Sequence, residues 1–581
     1  MIKLLKYYKP YTALILLTLL LLFLQVMADL ALPNYMAKII NNGIALGNIS
    51  YILIKGIQML IIAFIGGLCA VGVGFFASRI AAKSSMHMRE DVFKKVSDFS
   101  NAEFDKFSTA SLITRSTNDI QQIQMVSVML LRMVCMAPIM GIGALIMAYK
   151  SSPSMSWTIF LALVIVLSIM ITFFFITSSR FKKLQKLVDK LNLIMNERLT
   201  GMLVIRAFNT QSYEEKRFDK TNKELTSLNL FVNRVMTFMM PMMMLIMNGV
   251  SILIVWTGAK MINMGALEVG DMLAFIQYTM MIIMSFMLIS MVFIMMPKAL
   301  VSGQRIAEVL QTQSNIKDPA ENKTKYLNKG ESELKGYVEF KNVSFHYPDA
   351  AEDVIHDLSF TAKPGETTAL IGSTGSGKST VVNLIPRFYD VTQGEILIDG
   401  VDIRDMKQNN LRDIIGYVPQ KAVLFSGTIE SNLLYGDKNA SEKELIDASE
   451  IAQAMEFISE KPQGFDTEIS QGGTNVSGGQ KQRLSIARAL VKNPKIFIFD
   501  DSFSALDYET DALLRNQLKE KKKDSTKIIV TQRISTIKNA EQIIVLDNGK
   551  MVGKGKHSEL MKNCQVYKEI ALSQLDEEEL Q

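Results

Sequence analysis

The sequence has few of the residues that build disulfide frameworks and zinc sites. It holds three cysteines (Cys69, Cys135 and Cys564) and four histidines in 581 residues. The cysteines form no short paired motif and the histidines have no ligand spacing, so no disulfide framework or structural metal site is implied. The charge excess is also small, at +6 from 63 basic and 57 acidic residues. In a membrane protein such an excess reflects basic cytoplasmic loops, and we expect no nucleic-acid partner.

Long apolar runs, by contrast, crowd one part of the chain. Hydrophobic residues make up 49% of the sequence, and the mean hydropathy is +0.19, which is high for a soluble protein. The apolar residues concentrate in the first three hundred positions, and the remainder has ordinary globular composition. We predict a transmembrane domain over residues 1–310, a polar linker over 311–335 and a soluble domain over 336–581.

Six stretches are long enough to cross a bilayer as helices, which takes about 20 apolar residues each. They lie near Tyr11–Leu32, Leu53–Phe76, Val126–Ala148, Trp157–Ile176, Met236–Ala259 and Met272–Met296. The pattern therefore predicts an all-α membrane domain of six transmembrane helices.

Basic residues set the orientation of these spans. They cluster before the first span and in the long loops after the second and fourth spans. Positive charge stays inside, so we expect a multi-pass plasma-membrane protein with its N-terminus and C-terminal half in the cytoplasm. Met1–Pro10 is a short basic, amphipathic run that is expected to lie as a helix on the membrane surface. The two long loops are helix-patterned, and we expect their tips, near Asn101–Phe107 and Phe208–Lys216, to dock on a soluble domain.

Methionine is heavily used in the membrane half. Of 37 methionines, 17 lie between Met236 and Met296. Five recur at three- and four-residue steps and so share one helix face: Met280, Met284, Met287, Met291 and Met295. A flexible thioether surface adapts to varied ligands, but the same stripe also suits packing between helices or against lipid. Both interpretations stay open.

Asp29 is an acid near the outer end of the first span. A carboxylate inside a membrane is costly unless it is paired or wet, which makes the residue a candidate cation site. Near the interface the side chain can also reach water, and this second interpretation is slightly favoured.

Alternating strand and helix patterns begin after residue 336. Four segments are predicted as strands: Tyr337–Val343, Thr367–Ile371, Lys495–Phe499 and Lys527–Val530. The continuous apolar runs of the last two are typical of buried parallel strands. Together with the helix-patterned segments between them, they predict an α/β nucleotide-binding domain of the P-loop class.

A glycine-rich loop lies between the strand Thr367–Ile371 and the helix-patterned segment Thr380–Phe388. It matches G-x-x-x-x-G-K-[ST] and continues into the helix with Gly372, Ser373, Thr374, Gly375, Ser376, Gly377, Lys378, Ser379 and Thr380. Glycines let backbone N–H groups wrap phosphates, and the helix N-terminus adds a favourable field. The loop predicts ATP and Mg²⁺ as ligands, with Lys378 on the β- and γ-phosphates and Ser379 on the metal.

Two more features support a nucleotide site. Asp500 ends the apolar strand Ile496–Phe499, where a second magnesium-directed carboxylate belongs. Ser477, Gly478, Gly479 and Gln480 open the helix-patterned segment Lys481–Leu490. Here the sequence resembles the ATP-binding cassette (ABC) family, whose signature is L-S-G-G-Q. The resemblance covers essentially the whole chain, and the six spans with long intracellular loops resemble the exporter type.

The resemblance implies roles for further residues. Tyr347 resembles the aromatic residue that stacks on adenine. Gln420 resembles the glutamine that senses magnesium and couples to the membrane domain, and Asp507 resembles the aspartate of the D-loop. In that family two cassettes sandwich two ATP molecules, each between the phosphate loop of one cassette and the signature of the other.

The sequence departs from the family at two positions of one site. The family's general base is a glutamate directly after the magnesium aspartate, but here it is Asp501. A carboxylate displaced by one methylene is poorly placed for catalysis, which tolerates little misplacement. The family's switch histidine is replaced by Gln532, whose amide can hydrogen-bond a phosphate but cannot carry a proton. Two such changes indicate a site that binds ATP and seldom hydrolyses it.

These observations lead to an expected function and its alternatives. The chain most resembles the degenerate-site subunit of a heterodimeric bacterial ABC exporter, an ATP-hydrolysing translocase for amphipathic drugs or lipid-like molecules. A second half-transporter would be its partner, and the intact signature serine and glycines of this chain would complete the partner's hydrolytic site. The alternatives are a slow homodimeric exporter, a non-pumping regulatory or channel-like ABC protein and, less favoured, a peptide exporter.

Overall fold

The apolar runs of the first half form long helices, and the second half forms strands and shorter helices. The computed structural model describes residues 2–319, 334–348 and 350–574. Two compact units result: Met1–Ser97 with Ala110–Gln311, and Asp98–Thr109 with Thr312–Gln581. Most of the predicted linker, residues 320–333, lies outside the described residues.

The first half of the chain is helical. Its helices, in chain order, are α1 Thr12–Lys38, α2 Ile49–Ser97, α3 Asn101–Phe107, α4 Thr109–Ser116, α5 Asn118–Met129, α6 Cys135–Ser151, α7 Ser156–Thr200, α8 Met202–Ala207, α9 Gln211–Asn263 and α10 Val269–Gln311. Turns of π-helix, Ile39–Ile44 and Leu130–Val134, extend α1 and join α5 to α6. The predicted surface helix at the N-terminus takes the form of two short 3₁₀ segments, Ile2–Tyr7 and Lys9–Tyr11.

The prediction of six membrane spans is confirmed. Within the described residues, six helical stretches are long and apolar enough to cross a membrane. The helices run well past the predicted span ends, because a helix satisfies its own backbone groups both in lipid and beyond it. For example, α2 continues to Ser97 over 49 residues, and α9 spans 53 residues.

The core of the membrane unit lies where α1, α6, α9 and α10 meet. Leu30, Ala144 and Phe275 are fully buried there. The hydroxyl of the buried Tyr278 donates a hydrogen bond to the Leu30 carbonyl at 3.0 Å, which joins α10 to α1. These contacts hold the first and last spans together.

The methionine stripe on α10 is only partly exposed. Met284 has 47% of its surface exposed, whereas Met287 packs against the core of the unit. The side chain of Met291 lies outside the described part of the chain. Asp29 on α1 is half-buried and faces α2, where a Cβ on Gly66 would lie 3.9 Å from its Oδ1 atom.

The tips of the two long loops have different surroundings. Helix α3 belongs to the compact unit that contains the strands. Its Asp105 accepts a hydrogen bond from Tyr389 at 3.2 Å, and its buried Glu103 accepts one from the Asn315 backbone N–H at 3.2 Å. The second tip exposes apolar side chains instead, among them Phe208 and Tyr213, which are 75% and 67% exposed.

The second half of the chain is an α/β fold. Its strands are β1 Val338–Phe345, β2 Ile355–Ala362, β3 Thr367–Gly372, β4 Gln393–Ile398, β5 Val401–Asp402, β6 Ile415–Val418, β7 Gly427–Thr428, β8 Glu468–Ile469, β9 Ile496–Asp500, β10 Thr526–Val530, β11 Gln542–Asp547 and β12 Lys550–Gly555. Its helices are α11 Lys378–Leu384, α12 Gln408–Asp413, α13 Ile429–Leu433, α14 Glu442–Ile451, α15 Met455–Ser459, α16 Gly478–Val491, α17 Tyr508–Lys521, α18 Ile534–Ile537, α19 His557–Asn563 and α20 Gln565–Leu572.

The strands form a central sheet and two smaller ones. The central sheet has the order β12-β11-β3-β10-β9-β6, and the strands from β11 to β6 pair in parallel. A second sheet has the order β2-β1-β4-β5, and β7 pairs with β8. Strands β9 and β10 are buried at every position, as their continuous apolar runs predict. The predicted α/β fold class is confirmed.

Candidate nucleotide site

Four loops that carry predicted site residues leave the same edge of the central sheet. Strands β3, β10, β9 and β6 are parallel neighbours, so their carboxyl ends lie side by side. The register aligns Val530 with both Leu370 and Asp500, and Val418 with Phe499. The loops after these strands carry the phosphate loop, Gln532, Asp501 and Gln420, which are thereby brought together.

The phosphate loop turns from β3 into α11. This helix begins at Lys378 and ends at Leu384, whereas the sequence predicted Thr380–Phe388. The helix starts earlier because Gly377, with φ of 94°, adopts the left-handed conformation directly before it. The earlier start places Lys378, Ser379 and Thr380 in the first turn, where backbone N–H groups are free to bind an anion. The helix then stops short of Pro386, as helices usually do before a proline.

Lys378 is held inside its own loop. Its ammonium group donates hydrogen bonds to the carbonyls of Gly372 and Ser373 at 2.9 and 2.7 Å. Burial lowers the pKa of Lys378, and the negative charges of Asp501 and Asp500 oppose that shift. The two carboxylates and the lysine therefore share one electrostatic environment at the edge of the sheet.

Ser379 and Asp500 meet, as the sequence predicts for a magnesium site. The Ser379 hydroxyl donates to Asp500 Oδ1 at 2.8 Å. Burial raises the pKa of the Asp500 carboxyl, while the hydrogen bond from Ser379 acts to lower it. No cluster of three or more His, Cys, Asp or Glu side chains with metal-binding geometry occurs in the described ranges. One hydroxyl and one carboxylate suit Mg²⁺, which binds to few protein ligands beside phosphate oxygens.

Gln420 contacts Asp501 at the edge of the sheet. Its Nε2 donates to Asp501 Oδ2 at 3.4 Å. Asp501 has a left-handed backbone, with φ of 46°, and its backbone N–H donates to the Val530 carbonyl at 3.0 Å. Burial raises the pKa of Asp501, while Gln420 and Ser504 hydrogen bonds act to lower it. The side chain thus lies within the site, one methylene shorter than a glutamate.

Gln532 follows β10 and has an exposed side chain. The neighbouring Arg533 reaches across to the loop after β9, where its guanidinium donates to the carbonyls of Ser504 and Leu506 at 2.8 and 3.3 Å. The loops that carry Gln532 and Asp501 are therefore tied together. The arrangement offers a hydrogen-bonding amide where a proton-accepting imidazole would act.

Tyr347 lies beside the phosphate loop, and its side chain makes two contacts. Its hydroxyl shares a hydrogen bond with Thr380 Oγ1 at 2.9 Å. Its ring meets that of Tyr389 edge-on at 5.3 Å, and Tyr389 in turn donates to Asp105 of α3. Burial, followed by the nearby charge of Asp105, raises the pKa of Tyr389 to about 12. Sequence reasoning missed Tyr389, because no local pattern signals a contact with a residue so distant in the chain.

The signature residues open a different helix, α16. Ser477 and Gln480 form a reciprocal cap, in which the Ser477 N–H donates to Gln480 Oε1 at 3.0 Å and the Gln480 N–H donates to Ser477 Oγ at 3.2 Å. A Cβ on Gly478 would meet nothing within 4 Å, and one on Gly479 would lie 3.3 Å from the Ala505 carbonyl. The turn therefore presents an open surface at a helix N-terminus.

Asp507 caps α17 beside that surface. It accepts hydrogen bonds from the N–H and the hydroxyl of Thr510 at 2.9 and 2.8 Å. This contact gives Asp507 a local structural role in the loop after β9, next to Gly479 and Ala505. Its predicted role at a nucleotide stays a prediction.

Comparisons with known proteins agree with this geometry. A family model described as the ABC transporter transmembrane region matches residues 15–286, and one described as ABC transporter matches residues 355–504. The chain is 39% identical to an uncharacterized ABC transporter ATP-binding protein of Mycobacterium tuberculosis, over 97% of each chain. It is 32% identical to the ATP-dependent lipid A-core flippase of Haemophilus influenzae, over 97% of this chain and 95% of the flippase.

A solved structure of a bacterial Atm1-family ABC exporter with ATP bound has a similar fold. Its TM-score is 0.80 at 26% identity, and the match covers 97% of this chain and all of that one. Together with the six apolar spans, these matches confirm the prediction of a multi-pass plasma-membrane protein whose nucleotide-binding domain lies in the cytoplasm.

The two left-handed glycines of the phosphate loop give a matched test of its shape. Alanine at Gly377 (φ 94°) or Gly375 (φ 85°) pays the same backbone cost, roughly 1–2 kcal/mol. Only at Gly377 would the new Cβ also lie 2.5 Å from Cδ1 of the buried Ile355. We therefore expect Gly377→Ala to cost about 1–3 kcal/mol more than Gly375→Ala. Thermal unfolding midpoints and ATP affinities of the two purified variants measure this, and equal losses would contradict the collision.

Proposed function

The chain belongs to the ABC transporter family as an exporter half-transporter, and from this premise we propose that it forms a heterodimer in which its own site mainly holds ATP. The observation that carries the proposal is that Asp501 and Gln532 lie in neighbouring loops at one edge of the sheet. Both side chains that would run the proton transfers are replaced in the same site, whereas the predicted phosphate ligands Lys378, Ser379 and Asp500 are retained.

The intact signature supports the second half of the proposal. Ser477, Gly478 and Gly479 present an open helix N-terminus, which suits a γ-phosphate supplied from another cassette. This chain would then complete the hydrolytic site of a partner that supplies the glutamate and the histidine. ATP in both sites would hold the cassettes together, and hydrolysis at the partner's phosphate loop would release them.

The proposed substrates are amphipathic drugs or lipid-like molecules. One relative is named a lipid A-core flippase, and it aligns along nearly the whole chain. The membrane unit also offers adaptable thioether surface, such as the exposed side chain of Met284. These features support an apolar substrate with a polar end, carried along a path bordered by α10.

The exposed second tip supports an arrangement in which it crosses to the partner. Phe208 and Tyr213 of the tip, and Leu203 of the adjoining α8, expose apolar surface that is costly to leave in water. The nucleotide-binding unit has a groove that borders the exposed Tyr435 and the cation Arg488. We assign the second tip to the corresponding groove of the partner, whereas α3 stays with its own nucleotide-binding unit.

Restoring both missing side chains tests the proposed degeneracy. The purified wild-type chain should bind ATP but turn it over slowly. The double variant Asp501→Glu/Gln532→His should raise its ATPase rate at least tenfold, a conservative threshold beside the roughly 10²–10⁴-fold value of general acid–base assistance. Lys378→Ala in the restored background is the control and should abolish the gain. Wild-type turnover as fast as that of the restored variant would support a homodimeric pump instead.

The trans role of the signature is tested in the assembled pair. Ser477→Ala or Gly478→Asp should reduce ATPase and transport at least tenfold, because each would disturb the partner's nucleotide. Asp501→Ala is the matched comparison within this chain and should leave most of the activity, since the chemistry takes place at the other site. Near-normal turnover in both signature variants would show that the signature does not face a hydrolytic site. No turnover in the wild-type pair would favour a regulatory protein.

Paired cysteines test the crossing of the second tip. The chain would first be freed of Cys69, Cys135 and Cys564, and then assembled with a cysteine-free partner. Asp105→Cys with Tyr389→Cys should be joined within the chain by a short bifunctional thiol reagent, since the Tyr389 hydroxyl reaches Asp105 at 3.2 Å. Phe208→Cys with Tyr435→Cys should not, and a photo-reactive group at position 208 should instead capture the partner. A bond between positions 208 and 435 of one chain, seen by mass spectrometry, would contradict the crossed arrangement.

A further inference from the structure

The side chain of Gln574 spans the loop that carries Gln532. Its Nε2 donates a hydrogen bond to the Gln532 carbonyl at 2.7 Å. Its Oε1 accepts a hydrogen bond from the Ile534 backbone N–H at 2.9 Å. One side-chain amide therefore binds the main chain at two points, the carbonyl of Gln532 and the N–H of Ile534.

The position of Gln574 is fixed by a buried helix end. Helix α20 is anchored by Tyr567 and Ala571, which are fully buried in the core that also contains Ile534. The Tyr567 hydroxyl shares a hydrogen bond with His557 Nδ1 at 2.7 Å. The Gln574 backbone N–H donates to the Ala571 carbonyl at 3.1 Å. The amide thus projects from a rigid support rather than from a free chain end.

The residues flanking Gln532 are held by other groups. The Thr531 N–H donates to the Leu370 carbonyl at 3.2 Å, and Arg533 is tied to the carbonyls of Ser504 and Leu506. The Gln532 carbonyl depends on Gln574 instead. Because the backbone sets the Cα–Cβ direction and restricts the side-chain rotamers, fixing this carbonyl limits the directions in which the Gln532 amide can point.

We infer that Gln574 is a positioning residue that sets the switch loop so that Gln532 can hydrogen-bond the γ-phosphate of ATP. This inference rests on the proposed role of Gln532. Of the polar side chains, glutamine and asparagine carry a donor and an acceptor on one planar amide, and the contact uses both. Gln574 itself touches no nucleotide and acts through the main chain of the switch loop.

A purely structural role makes a different prediction. If Gln574 only fastened the end of α20, its loss would weaken ATP and ADP alike or leave both unchanged. A residue that positions Gln532 affects ATP and leaves ADP unchanged, because ADP lacks the γ-phosphate. The ratio of the ATP and ADP dissociation constants therefore separates the two roles.

The experiment measures both constants with Mg²⁺ on the purified full-length chain, for the wild type and four variants. Gln574→Ala removes both hydrogen bonds, and Gln574→Glu keeps an acceptor for Ile534 but loses the donor to Gln532. Gln532→Ala removes the proposed phosphate contact itself. Gln565→Ala is the control: it is an exposed glutamine of α20 whose Nε2 bonds Glu569 of the same helix at 2.8 Å.

Gln574→Ala should weaken ATP binding about three- to tenfold, the factor that one or two modest hydrogen bonds are worth. Gln574→Glu should lie between it and the wild type. ADP binding should stay unchanged in both, and Gln565→Ala should match the wild type for both nucleotides. Equal weakening of ATP and ADP would overturn the inference. The inference would also be overturned if Gln574→Ala left the ratio of the ATP and ADP dissociation constants unchanged while Gln532→Ala lowered ATP affinity. An unchanged ratio in Gln532→Ala would overturn the proposed role of Gln532 as well.

Discussion

The register of four parallel strands fixes the positions of the groups assigned to the nucleotide. A shift of β9 by one residue would turn its side chains to the opposite face of the sheet and carry Asp500 away from Ser379, which now lies 2.8 Å from it. The register is itself secured by strands buried at every position, because an unpaired backbone group there would cost too much. The chemistry at the edge of the sheet therefore depends on hydrogen bonds made inside it.

The backbone groups of the membrane unit must also be hydrogen-bonded, but there the bonds form within single helices. In lipid, each helix must satisfy its own backbone groups, and the long helices do so through the bilayer and beyond it. Among the described residues, π-helical turns occur at Ile39–Ile44 and Leu130–Val134, and four prolines lie inside α-helices: Pro33, Pro138, Pro241 and Pro297. Such interruptions are typical points of bending. They allow long helices to change direction without losing their overall hydrogen bonding.

Much of this arrangement was predictable because its signals are local. The spans, the buried strands and the phosphate loop each carry a pattern within about twenty residues, and the structure has these elements in place. The start of α11 at Lys378 differs from the predicted Thr380, since a left-handed glycine ends the loop earlier than composition suggests. No local sequence pattern indicates the contacts Tyr389–Asp105 and Gln574–Gln532. Polar side chains that meet through the fold, 284 and 42 residues apart in sequence, share no periodicity.

Because α3 belongs to the nucleotide-binding unit, it affects how chimeras of this protein can be made. Residues 98–109 precede most of the membrane helices in sequence, yet they fold with the nucleotide-binding unit through Glu103 and Asp105. A chimera joined at residue 312 would combine a foreign nucleotide-binding unit with the native α3, whose contacts are made with the native unit. The functional module is thus discontinuous, and an exchange that respects it must transplant two segments of chain rather than one.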